Sequence, residues 1–233
     1  MLTLLTYPRH SDVFSYSPFC VKAALLLTYA GLDWKRQDLK DPRKMPHRKL
    51  PVLRTPAGLI PDSNEIRKYL EAKGTEFDPG LSSTDRAYAQ VLIRLAEDSL
   101  YFHVVHDRWA NEAVWPSVRD AYFAEIPSLI RRPVTHSIRQ TVCTGLAFQG
   151  TGRFTERERK DRLEQDLQAV TTLLKDGAFL LGPHITSADF SVASMLQAMR
   201  STMVETSLVR RISDDPVLSG YVDRVFHEAV PLL

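Results

Sequence analysis

The chain has only two cysteines in 233 residues, Cys20 and Cys143. They lie far apart and follow no paired spacing, which argues against a disulfide framework and for a reducing compartment, expected here to be the cytoplasm. Long apolar runs are missing too. None approaches the roughly 20 residues that a membrane span needs, so no membrane span is expected. Residues 1–5 are too short an apolar run, and lack the basic flank, to form the core of a signal peptide. Neither sign of charge is in excess: 30 Lys and Arg stand against 28 Asp and Glu, for a net charge of +2. A nucleic-acid surface would need basic residues gathered on one face, so no nucleic-acid partner is expected. There are no internal repeats and no low-complexity tracts. Gly150 and Gly152 make no phosphate loop, because no Lys-Ser/Thr follows them and no strand precedes them. What remains, 44% hydrophobic and 25% charged, is ordinary for a globular chain.

Strand patterns are confined to the first quarter of the sequence. Residues 2–6 read as a strand, and residues 8–14 as a polar loop after it. From Val21 to Ala30 the pattern is helical, with Cys20, Ala23, Ala24 and Leu27 at the spacing of one buried stripe. Residues 34–39 look like a second strand, and residues 40–48, with five charged side chains and two prolines, like a loop or a broken helix. Two short apolar runs flank Thr55-Pro56-Ala57-Gly58 and predict a hairpin. A helix follows, capped by Asp62 or Ser63 and stopped at Gly74. This β-α-β-β-β-α order is that of a thioredoxin-like α/β unit over residues 1–75. Residues 75–83, with Asp78-Pro79-Gly80 inside, read as a linker.

Beyond it, residues 84–233 predict an all-α domain. A long helix is expected to run to about Trp109, another over 115–126, and another opened by Pro133 with Val134, Ile138 and Val142 spaced by four. Thr155 to Glu158 and Thr186 to Asp189 are capping boxes that start further helices. Asp215-Pro216 opens the last. Asp189 is thereby expected to satisfy helix N–H groups rather than act as a catalytic acid, and Cys143 to be plain core.

Chemistry concentrates in Ser17-Pro18-Phe19-Cys20. Ser17 is a good N-cap and Pro18 a good first helical residue. The positive end of a helix after a strand is a place where a thiolate is stabilised. With serine in place of the first thiol of a Cys-x-x-Cys site, dithiol exchange is not available. A hydroxyl able to donate to a ligand's sulfur remains, or a simple cap with Cys20 as a small core residue. Leu50-Pro51 enters a strand as a candidate cis peptide, which would turn the backbone groups of Leu50 toward an extended peptide. Asp62 and Ser63, at a helix N-terminus, could hold that peptide's charged ends. His103 and His106, at i and i+3 on one helix, lack an identifiable third ligand, so no metal is expected.

Taken together, these motifs resemble the glutathione transferase superfamily over nearly the whole chain. Within it the resemblance is nearest to the failed-axon-connections and metaxin-like branch. It is carried by Tyr16 to Cys20, Pro61-Asp62-Ser63, Glu97 through Tyr101 to Arg108-Trp109, Gln149 to Arg153, and Thr186 to Asp189. The resemblance implies glutathione as co-substrate. Leu50 and Pro51 would meet its cysteinyl backbone with Lys49 nearby, and Asp62 and Ser63 would hold its γ-glutamyl end. Ser17 would stabilise the thiolate, with Tyr7, at the end of the first strand, as a rival activator and Cys20 as a third. A small hydrophobic electrophile would sit against Tyr101, His103 and Trp109. A homodimer is the expected form. A binding or partner-holding protein that keeps this fold without its chemistry is the alternative.

Overall fold

The computed structural model describes residues 1–9 and 13–229. The loop expected over residues 8–14 thus falls partly outside the described residues. Four strands form one mixed sheet in the order β2-β1-β3-β4. β1 (Leu2–Thr6) pairs in parallel with β2 (Trp34–Asp38) and antiparallel with β3 (Val52–Thr55). The parallel pair requires a crossover, and α1 (Pro18–Tyr29) supplies it. β3 and β4 (Gly58–Pro61) are the expected hairpin, closed where Gly58 takes φ 138°, a conformation that favours glycine. Residues 40–48 resolve into two single 3₁₀ turns, Pro42–Lys44 and Pro46–Arg48. α2 (Ser63–Ala72) completes the α/β unit.

Among the described residues from 73 onward no further strand forms. α3 (Ser83–Leu95) continues through a π-helical turn, Ala96–Leu100, into α4 (Tyr101–Val105) and a second π turn, His106–Ala110. There follow α5 (Trp115–Tyr122), α6 (Ser128–Gln149), α7 (Glu156–Leu173), α8 (Ser187–Arg200), α9 (Ser207–Ser213) and α10 (Pro216–Ala229).

Three expectations change. α1 is buried on every side, not along one stripe: Cys20 through Leu27 are all inaccessible, Lys22 included. The helix lies between the sheet and the helical region and shares one apolar core with α8 and α10, so no face is left for solvent. α6 begins five residues before Pro133, which sits inside it. Its spaced residues Val134, Ile138 and Val142 are exposed or half-buried, because the helix is held by few neighbours: Thr135 and Leu146 alone are buried on it. The 75–83 segment is not a loose tether. Phe77 is buried in the common core, and the Asp78 carboxylate accepts from the Ser187 N–H at 2.8 Å and from its hydroxyl at 3.0 Å, tying the segment to the start of α8.

Asp189 does what its capping box predicts. It accepts from the Thr186 N–H (2.8 Å) and hydroxyl (2.7 Å), from the Leu180 N–H (3.0 Å) and from the buried Tyr221 hydroxyl (2.8 Å).

Candidate functional site

The end of β1, the start of α1, the entry to β3 and the start of α2 lie together at one end of the sheet. Ser17 is the N-cap of α1, extended in backbone, and its Oγ accepts from the Cys20 N–H at 3.4 Å. Its own N–H donates to Ser15 Oγ at 3.3 Å. As acceptor for one helix N–H, the Ser17 oxygen keeps its proton to donate, and the residue is only half-buried. Cys20, one turn in, is a different case. Burial pushes its thiol up, against the pull of hydrogen bonds from Thr6, the Tyr7 backbone, Ser17 and Ser15 around it. Its side chain is wholly enclosed with Leu5, Leu50 and Val52. The expectation of Cys20 as a thiol activator is corrected here: a neutral, inaccessible thiol neither attacks a ligand nor meets its sulfur.

Tyr7 packs on that same small cluster. Burial raises its phenol, and Cys20, Tyr101 and Tyr122 raise it further, so it is a neutral donor and not a base. The Leu50–Pro51 peptide is cis. Leu50 is buried, while Lys49 beside it is exposed. His47 and Arg48, just before, have φ of 56° and 53°, left-handed values that cost non-glycine residues energy and cluster near binding sites. No local motif foretold them.

Asp62 is the α2 N-cap, also at positive φ (73°), with its carboxylate accepting from the Asn64 N–H at 2.7 Å. The Ser63 hydroxyl is buried and finds no hydrogen-bond partner among the described residues. Such a group costs on the order of 1–3 kcal/mol unless something else completes it. A polar cleft of about 400 Å³ opens alongside, lined by Phe19, Asp62, Asn64, Arg94 and Glu97 among others.

A buried charge lies under this cleft. Lys22 Nζ is 2.6 Å from Glu97 Oε1 and donates to Asn64 Oδ1 at 2.7 Å. Asn64 Nδ2 donates back to Glu97 Oε2 at 2.7 Å, and Ser191 Oγ donates to Oε1 at 3.1 Å. Burial opposes ionisation of Glu97, but Lys22 and Asn64 overcome it and hold the carboxyl below its usual value. Sequence reading missed this network, since its members come from α1, α2, the first π turn and α8.

On the helical side the Phe19 and Tyr101 rings meet edge to face at 4.8 Å, and Tyr16 lies 5.6 Å from Tyr122. Arg108, buried in the second π turn, donates to the Tyr16 carbonyl and, at 2.7 Å, to the Ala198 carbonyl. Burial raises the phenols of Tyr16 and Tyr101. Trp109 stacks near Trp115 at 5.4 Å and backs Tyr122 at 6.1 Å. His103, on the same helix, is half-buried. Burial and the charges of Arg159 and Arg162 on α7 lower it to about 4.

Two family models match, the glutathione S-transferase N-terminal domain over residues 18–114 and its C-terminal domain over residues 154–224. The chain belongs to the glutathione S-transferase superfamily. Among similar transferases is the isoprene-epoxide–glutathione S-transferase of Rhodococcus sp. (strain AD45), 28% identical over 239 residues that span 97% of this chain and 98% of that protein. Failed axon connections of Drosophila melanogaster is 24% identical over 99% of this chain, which covers 58% of that longer protein. The transferase fold also matches glutathione transferase GSTFuA3 from Phanerochaete chrysosporium, at 17% identity, TM-score 0.66, and coverage of 97% of this chain and 96% of that one. A glutathione S-transferase from Methylobacillus flagellatus, solved with glutathione bound, matches at 15% identity and TM-score 0.63 over 96% and 93% of the two chains.

Proposed function

We propose that the protein binds glutathione in its α/β unit and joins the thiolate to a small hydrophobic electrophile held against the helical domain. The observation that carries this reading is the convergence of a half-exposed N-cap hydroxyl, a cis-proline entry and a buried hydroxyl without a partner at one helix N-terminus. The Leu50 backbone pairs with the cysteinyl residue of glutathione, and Lys49 lies by its glycyl end. Asp62 takes the γ-glutamyl ammonium. Ser63 and the α2 N-terminus take the carboxylate, which completes the orphaned hydroxyl.

Ser17 donates to the sulfur. A hydrogen bond to a charged group, about 1.5–3 kcal/mol, enriches thiolate roughly 10- to 100-fold at neutral pH. Tyr7 is placed to assist as a second neutral donor. Tyr101 and Tyr122 line the electrophile's side, with Trp109 behind. The name of the Rhodococcus relative makes epoxides the first class to test. The protein acts as a homodimer in the cytoplasm. Tyr88 and Val91, exposed on one face of α3, are the apolar surface for a second copy.

Titration calorimetry with glutathione tests binding, and no heat at millimolar concentrations sinks the proposal. Ser17→Ala is expected to lower turnover of chlorodinitrobenzene about 10- to 100-fold. A second reading is a binding or partner-holding protein that keeps the fold without turnover. Under it, any residual reaction is indifferent to Ser17→Ala.

A further inference from the structure

Of the 22 residues of α6, only Thr135 and Leu146 are buried. The opposite side of the helix leaves apolar side chains in the open. At 3.6 residues per turn, Leu129, Ile130, Val134 and Phe148 fall within an arc of about 140°, centred across the helix from Thr135 and Leu146. Leu129 is 93% exposed and Phe148 80%. Phe148 lies 18 residues beyond Ile130, about 27 Å along the axis, with Ser137, Thr141 and Thr144 between them on the same side. Exposed apolar residues scattered singly are ordinary, whereas a set on one side of one helix marks a surface that something covers.

The charge here has one sign. Residues 126–155 hold four arginines and neither Asp nor Glu, in a chain with 28 acidic residues. The three acids that precede this stretch are already paired: Glu112 with Arg139 at 2.8 Å, Asp120 with Arg119 at 2.8 Å, and Glu125 with Lys40. Arg131 donates to the carbonyls of Ile126 and Ala124, which leave its charge uncancelled. Arg132 is exposed and makes no hydrogen bond or ion pair among the described residues. With the exposed His136 it borders the apolar arc on one edge.

We propose that this side of α6 is a docking surface for an anionic lipid bilayer. The helix lies flat on it, with Leu129, Ile130 and Phe148 entering the headgroup layer and Arg132 meeting lipid phosphate. Apolar side chains bordered by uncancelled cations, on a helix surface, are the chemistry of such an interface. An acidic protein segment would satisfy the cations but leave the two apolar ends, about 27 Å apart, without a common partner. A plane reaches both. A second copy docked face to face would set the same cations against each other. The docking uses no residue of the glutathione site and goes beyond that reading.

Co-sedimentation of the full-length chain with vesicles tests it, using phosphatidylcholine alone or mixed with phosphatidylserine. The chain should pellet with the mixed vesicles and not with phosphatidylcholine alone, and should release as salt is raised. Arg132→Gln should lower the partition coefficient about fivefold, the scale of one cation at an anionic surface. Leu129→Ser with Ile130→Ser should lower it about tenfold or more. Phe148→Ser, at the far end of the helix, should weaken it about threefold or more, which keeps the test open if the double variant folds poorly. Val217→Ser, an exposed apolar position on α10, should leave it unchanged. No pelleting with the mixed vesicles, equal pelleting with both kinds, or pelleting that survives the α6 variants overturns the proposal. So does release from the vesicles by polyglutamate of equal charge, which points to an acidic protein. A lipid-free oligomer that Leu129→Ser with Ile130→Ser dissociates overturns it in favour of a second copy.

Discussion

Replacing Lys22 by Met is expected to cost about 3–5 kcal/mol, the penalty for leaving a buried partner charge unpaired. Lys22 has no exposed surface, and Met keeps most of its aliphatic stem in place, so the packing cost is small. What is lost is the ammonium, 2.6 Å from Glu97. Glu97 would keep Asn64, Ser191 and Arg94, whose nearest nitrogen is 3.5 Å away and half in solvent. Natural domains are stable by about 5–15 kcal/mol, so the loss is a large share of the total. At about 2–4 °C per kcal/mol for a chain of this size, Tm should fall by roughly 6–20 °C. The double variant Lys22→Met, Glu97→Gln removes both charges while leaving an amide for Asn64 and Ser191. It should return to within about 2 kcal/mol of the wild type. Urea unfolding of the four proteins in the cycle at pH 7, read by circular dichroism, measures both effects. A single variant within about 1 kcal/mol of wild type, or a double variant no better than the single, refutes the physical account of this pair.

Asp62→Asn and Ser63→Ala should each weaken glutathione binding about tenfold or more by calorimetry, at little cost in melting temperature, because they address the ligand's ends and not the core. His103 and His106 both sit at about 4 in the folded chain against 6.5 for the free side chain, from burial and the charge of Arg159. The unfolded chain therefore binds more protons between those values, and stability should fall as pH drops from about 6.5 toward 4. Replacing both with Gln should flatten the change in urea midpoint between pH 7 and pH 5; an unaltered slope would show that other groups set it.

The proposed glutathione side of the site rests on local backbone devices, which a sequence shows directly. A cap at Ser17, a cis-proline after Leu50 and the helix start at Asp62-Ser63 each occupy two to four adjacent residues. The proposed electrophile's side is assembled over distance. Arg108 reaches Tyr16 and Ala198, 92 and 90 residues away, and Lys22 finds its partners 42 and 75 residues on. Nothing beside Lys22 in the chain marks it as buried; a lysine in an apolar helix reads as a solvent contact until both faces of that helix are covered. Spacing misled at α6 for the converse reason. Val134, Ile138 and Val142 recur every fourth residue, yet little packs against that face.

The two half-sites nevertheless depend on one another through a single helical run, residues 83–110. Its buried charged residues with partners on other elements, Glu97 in the first π turn and Asp107 and Arg108 in the second, all lie in that form, which appears mostly as single turns and often at functional sites. Glu97 fastens α1 and the start of α2, which carry Ser17, Asp62 and Ser63. Arg108 fastens the Tyr16 carbonyl, the C-terminal turn of α8 and Tyr122. Eleven residues separate them, about 16 Å of helix at 1.5 Å per residue. That span sets Ser17 and the phenols on a common rigid reference. A substitution that straightens either π turn should therefore shift one half-site against the other, and change the ratio of rates on two electrophiles before it changes the affinity for glutathione.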